Sequence, residues 1–101
     1  MEITITQTGG IVGLLKLGPV DTETLPENTA RRLNDIITGM DFFNLPADIT
    51  RDDGANVPSY ETTVVDHNRT HTVRSNENSP ISYTKQLGEL IGLVEGLRSE
   101  T

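Results

Sequence analysis

The chain contains no cysteine and no tryptophan. Without thiols there is no disulfide framework, no thiolate metal site and no cysteine nucleophile. Aromatic residues are nearly as scarce, since Phe42, Phe43, Tyr60 and Tyr83 are the whole set. Cations are few: eight Lys and Arg against fifteen Asp and Glu leave a formal net charge of -7. A surface of that sign repels phosphate backbones, which argues against a nucleic-acid partner. No apolar run approaches the roughly eighteen residues that a membrane span needs, so no membrane partner is expected. Met1-Glu2-Ile3-Thr4-Ile5-Thr6 carries neither the basic nor the apolar region of a secretory signal. The expected location is therefore cytoplasmic, although export by a route that reads no N-terminal signal would leave no mark in the sequence.

What is present fits one small domain. The 101 residues, 34% of them hydrophobic, are expected to form a single domain spanning 1–101 with one thin core. Ile3 and Ile5 alternate with Glu2, Thr4 and Thr6, the period of a half-buried strand. Gly9-Gly10 between two apolar runs predicts a tight hairpin turn. The return, Ile11 to Leu17, contains Gly13 and is expected to be irregular before Gly18-Pro19 breaks it. Thr24-Leu25-Pro26-Glu27 has the form of a capping box that opens a helix, with Ala30, Leu33, Ile36, Ile37 and Met40 as its apolar stripe. Residues 60–65 and 70–74 are rich in β-formers and flank a turn at 66–69. Ser79-Pro80 then starts a second helix whose stripe is Tyr83, Leu87, Leu90, Ile91, Val94 and Leu97. The predicted order β-β-α-β-β-α gives an α+β fold, an antiparallel sheet of two hairpins with two amphipathic helices on one face.

Residues that could carry chemistry do not assemble into a site. His67 and His71 are the only histidines. Across a turn and a strand their spacing puts them roughly 13 Å apart, too far for one ion. His71 is expected to pack or pair on the sheet, and no metal or other cofactor is expected. Asp52-Asp53 are adjacent carboxylates in a polar loop with Gly54, the usual pattern of a solvated turn. There is no nucleophile elbow and no phosphate-binding loop. Gly9-Gly10-Ile11-Val12-Gly13 departs from the dinucleotide fingerprint and lies between strands. An enzyme is not expected.

Gly88, Gly92 and Gly96 recur every four residues in the second helix, opposite its leucines. They form either a weak solvent face or a smooth surface that another backbone can approach. Phe42-Phe43 divides in a similar way: one ring plugs the core with the other half exposed, or both sit in the core, which is the default for aromatic side chains.

Three motifs stand in order along nearly the whole chain: Thr8-Gly9-Gly10-Ile11-Val12-Gly13, Asp41-Phe42-Phe43-Asn44-Leu45-Pro46 and His71-Thr72-Val73. In this the chain resembles the protealysin inhibitor (emfourin) family, small bacterial protein inhibitors of thermolysin-like zinc metallopeptidases. Ile11, where the family commonly has phenylalanine, and the glycine-rich last helix depart from the pattern. The resemblance implies a protein that blocks the active-site cleft of such a peptidase, the zinc belonging to the partner, and that is a monomer when free. The candidate contact residues are Gly9, Gly10, Ile11, Val12, Gly13, Leu14 and Leu15 of the first hairpin, with Asp52 and Asp53 of the 46–59 loop as rivals. A non-enzymatic adaptor that uses the glycine face of the last helix is the alternative.

Overall fold

The structure is a computed structural model and describes residues 1–9, 15–51 and 57–99. Four strands, β1 (Glu2–Thr8), β2 (Leu15–Asp21), β3 (Ser59–Asp66) and β4 (Arg69–Asn76), form one antiparallel sheet in the order β2-β1-β3-β4. Two helices, α1 (Glu27–Gly39) and α2 (Ile81–Ser99), complete the α+β fold in the expected order.

The sheet has two unlike faces. Ile3, Ile5, Leu17, Val64 and Val73 are buried on one, together with Leu33, Ile36 and Ile37 of α1 and Leu87, Leu90 and Val94 of α2. The other face carries Thr4, Thr63 and Thr72 in register, with a hydroxyl–hydroxyl bond of 2.8 Å between Thr63 and Thr72. Period-two alternation thus sends the branched apolar residues under the helices and the threonines outward. At about 25 cal/mol per Å² of apolar surface, each fully buried Leu or Ile contributes roughly 1.5–3 kcal/mol.

Two predictions about the first hairpin change. Gln7 pairs with Leu15, so the connection is longer than a two-residue turn at Gly9-Gly10. Gly18-Pro19 does not break the second strand, because β2 runs through it to Asp21. The Gly18–Pro19 bond is cis, and an extra residue bulges in β2 between the Ile3–Val20 and Ile5–Leu17 pairs. Proline is tolerated there because β2 is an edge strand, whose outer side needs no ladder donor. Gly18 is required. Its φ is +94°, and a Cβ would stand 2.7 Å from the Ile3 carbonyl oxygen.

The helix starts also differ. Thr24 donates its hydroxyl to the Asp21 carbonyl at 2.8 Å within a short 3-10 turn, Thr22–Thr24, so it cannot cap α1. Pro26 takes the cap position without a side-chain bond, and Glu27 pairs with Arg31 at 2.9 Å instead. Ser79 bonds back to Asn76 rather than forward into α2.

The stretch from Pro46 is less irregular than its composition implies. Residues 47–49 lie along the outer edge of β4, with Ile49 N–H bonded to the Arg74 carbonyl and Arg74 N–H to the Ala47 carbonyl. This covers part of an edge that would otherwise invite foreign strands.

Two substitutions test the core. The Thr62 hydroxyl is fully buried and has no hydrogen-bond partner among the described residues. Thr62→Val keeps the shape and removes that penalty, so stability should rise by about 1 kcal/mol in urea unfolding. Gly18→Ala should lose about 2 kcal/mol or more by the same measurement.

Candidate functional site

The two rival contact regions emerge from one end of the sheet. β1 ends at Thr8, which pairs with Ser59, the first residue of β3. Gly9 follows at φ +82°, and a Cβ there would lie 3.9 Å from Pro58 Cα and from the Val57 carbonyl oxygen. The end of the 46–59 loop therefore lies against the start of the 9–15 connection. The next row runs across all four strands, Leu15–Gln7–Tyr60–Ser75, on the helix-facing side. Of the candidate contact residues, Gly9 and Leu15 fall among the described residues, with Leu15 half-buried. Gly10, Ile11, Val12, Gly13, Leu14, Asp52 and Asp53 lie outside them.

Asn76 fastens the same end. Its side-chain oxygen accepts from Arg51 N–H at 3.2 Å and its amide donates to the Arg51 carbonyl at 2.9 Å. The same oxygen accepts from Asn78 N–H at 3.1 Å, while the Asn76 N–H donates to Ser79 Oγ at 3.0 Å. One buried amide thus joins the 46–51 segment, the end of β4 and the approach to α2. A buried amide so well satisfied holds its neighbours in one arrangement.

The opposite end is built differently. Phe42 is buried and meets Phe43 edge-on at 5.8 Å and His71 at 5.6 Å between ring centroids. His71 Nε2 lies 2.7 Å from the Leu45 carbonyl oxygen, which can only accept, so Nε2 carries the proton. His71 therefore packs and pairs on the sheet, as expected. Phe43 is half-buried beneath the Arg69 guanidinium, 4.0 Å from its ring centroid. The pair is therefore one core ring and one half-buried ring rather than two core rings. His67 sits at φ +54° in the exposed β3–β4 turn. Among the described residues no group of three or more His, Asp or Glu could hold a metal ion, and no helix is long and apolar enough to cross a membrane.

A groove of about 300 Å³ adjoins the first end. It runs between α2 and the β3–β4 margin, lined by Tyr60, Asn76, Leu87, Gly88, Ile91 and Gly92, with Glu77 and Glu95 at its edges. The sequence pattern of Gly88 and Gly92 hinted at an open face, but which wall would oppose it depends on how α2 crosses the sheet. Tyr60 and the Val57-Pro58 approach carried no such hint.

The family model Emfourin matches residues 5–93, from β1 into the last helix. The chain belongs to the emfourin family. It is a family of protease inhibitors, and a protease is the partner that membership implies. No curated protein and no solved structure matches the chain. The emfourin match spans both halves of the sheet, so it includes the end at which Gly9 meets Pro58.

Asp48 provides a test of how the 46–51 segment is held. Its carboxylate accepts from the Thr50 hydroxyl at 2.6 Å and the Thr50 N–H at 2.9 Å. These bonds hold its pKa below the usual 3.8; desolvation opposes them to a lesser extent, and the Arg74 charge adds the smallest lowering. A depressed pKa adds stability above the unfolded value and loses it as pH falls through the folded one. The stability difference between the wild-type chain and Asp48→Asn should therefore be present at neutral pH. It should shrink as pH drops below 3.8, in urea unfolding at a series of pH values.

Proposed function

We propose that this emfourin inhibits thermolysin-like zinc metallopeptidases by laying the Gly9–Pro58 end of its sheet over the active-site cleft. The family match over residues 5–93 carries the reading. Peptidases of that class accept bulky apolar side chains beside the scissile bond. An apolar segment held in extended form is suited to such a cleft. Leu15 and the apolar residues at 11, 12 and 14 supply that chemistry, and Asp52 and Asp53 follow on the neighbouring loop. The zinc is the peptidase's own, and the emfourin contributes no reacting group.

The geometry supports treating the hairpin and the loop as parts of one contact. Both leave the sheet within one residue of the Thr8–Ser59 pair. A cleft that takes one of them meets the other. The sheet register and Asn76 fix the described residues at which the two segments leave the sheet, which lowers the ordering cost at those residues on binding.

Titration against a thermolysin-like peptidase, with a serine peptidase alongside, tests this. Metallopeptidase activity should fall to near zero at a slight excess of emfourin, and the serine peptidase should be unaffected. Full metallopeptidase activity at micromolar excess would contradict the proposal. Leu15→Ala should raise the inhibition constant about tenfold, the equivalent of about 1.4 kcal/mol of lost contact.

A further inference from the structure

We infer that the groove between α2 and the β3–β4 margin is a second contact for the inhibited peptidase, receiving an apolar side chain flanked by Lys or Arg on the enzyme surface. The inference rests on the inhibitor reading above and adds to it a surface and the chemistry of what fills it.

Three observations carry it. The first is shape. The floor is the Tyr60 ring with Leu87 and Ile91, and one wall is Gly88 and Gly92, where an added Cβ would meet nothing within 4 Å. At about 300 Å³ the space is at the small end of ligand pockets. It suits one or two side chains better than a cofactor.

The second is charge. Among the described residues that line the groove, the two with charged side chains, Glu77 and Glu95, are acidic. Burial raises the Tyr60 pKa, and the two carboxylates raise it further, so the floor lies in a negative potential. A cation beside the entering side chain meets that potential favourably. A second copy of this chain does not. Symmetric pairing would set Glu77 and Glu95 against their own kind, on a chain of net charge -7.

The third is continuity. Tyr60 stands in the cross-strand row of Leu15 and Gln7, two strands from Leu15, which is about 10 Å at the usual strand spacing. Tyr60 is two residues beyond Pro58, which lies against Gly9. An enzyme seated on that end of the sheet therefore has its cleft rim beside the mouth of the groove.

Inhibition constants and association rates of wild type, Gly92→Leu and Glu77→Lys against one thermolysin-like peptidase test the inference, at low and high salt. Gly92→Leu fills the groove and replaces a poor helix former with a good one, so its melting temperature should hold or rise. Its inhibition constant should nevertheless rise about tenfold, through faster dissociation. Glu77→Lys should slow association severalfold at low salt, and the difference should fade as salt rises. If wild type inhibits and both variants match it, the groove is not a contact and the inhibitor reading stands. If wild type does not inhibit at all, both fail together. A dimer of the wild-type chain in sedimentation that Gly92→Leu dissolves would also overturn the inference, by making the occupant a second copy.

Discussion

The pairing of β1 with β3 joins the two halves of the molecule. Residues 2–8 run antiparallel to residues 59–65 without interruption, 51 to 63 positions away in sequence. Each hairpin closes locally, but only this ladder brings Ile3 and Ile5 over Val64 and Thr62 and makes one buried face. It also sets Gly9 against Pro58. A slip of one residue would turn the threonine ladder inward and the isoleucines out to water, so the register is strongly specified. The loop-closure entropy of such a distant contact is offset by four strands' worth of apolar burial and by both helices.

From that register the site follows. The sequence leaves the first hairpin and the 46–59 loop as competitors, because their relation depends on which strands are neighbours. With β1 beside β3 they become two parts of one end. Asn76 then fixes the loop's approach by pairing with the backbone of Arg51, and α2 leaves the same corner to cross the sheet. The crossing of α2 leaves Gly88 and Gly92 with open space around them, and together with Tyr60 they line the groove. The other end, with His71, Phe42 and the Phe43–Arg69 stack, is packed and paired, which suits a structural role.

Much of the fold is legible in the sequence because its signals are local. The alternation at Ile3 and Ile5 and the stripe of α1 state a period and a buried face directly. The element order and the packed His71 follow in the same way. The failures have physical causes too. Gly9-Gly10 has the composition of a tight turn, but the pairing of Gln7 with Leu15 is set by which residues of β2 can be buried. Gly18-Pro19 reads as a break only if the strand is central, and edge position is not a local property. Thr24 and Ser79 have the chemistry of caps, yet each hydroxyl bonds three residues upstream instead. Of the candidate site, its residue types could be read, whereas the convergence at Thr8–Ser59, Asn76 as fastener and the groove wall at Tyr60 all required long-range register.

The proposed peptidase contact is one end of the sheet together with the adjoining groove. Amide hydrogen exchange of the emfourin, free and bound to a thermolysin-like peptidase, addresses it directly. New protection is expected at residues 7–9, 15–17, 57–60 and 87–92. Protection confined to the Asp66–Arg69 turn, or to strand residues beside the outward threonines with none at those segments, would contradict it.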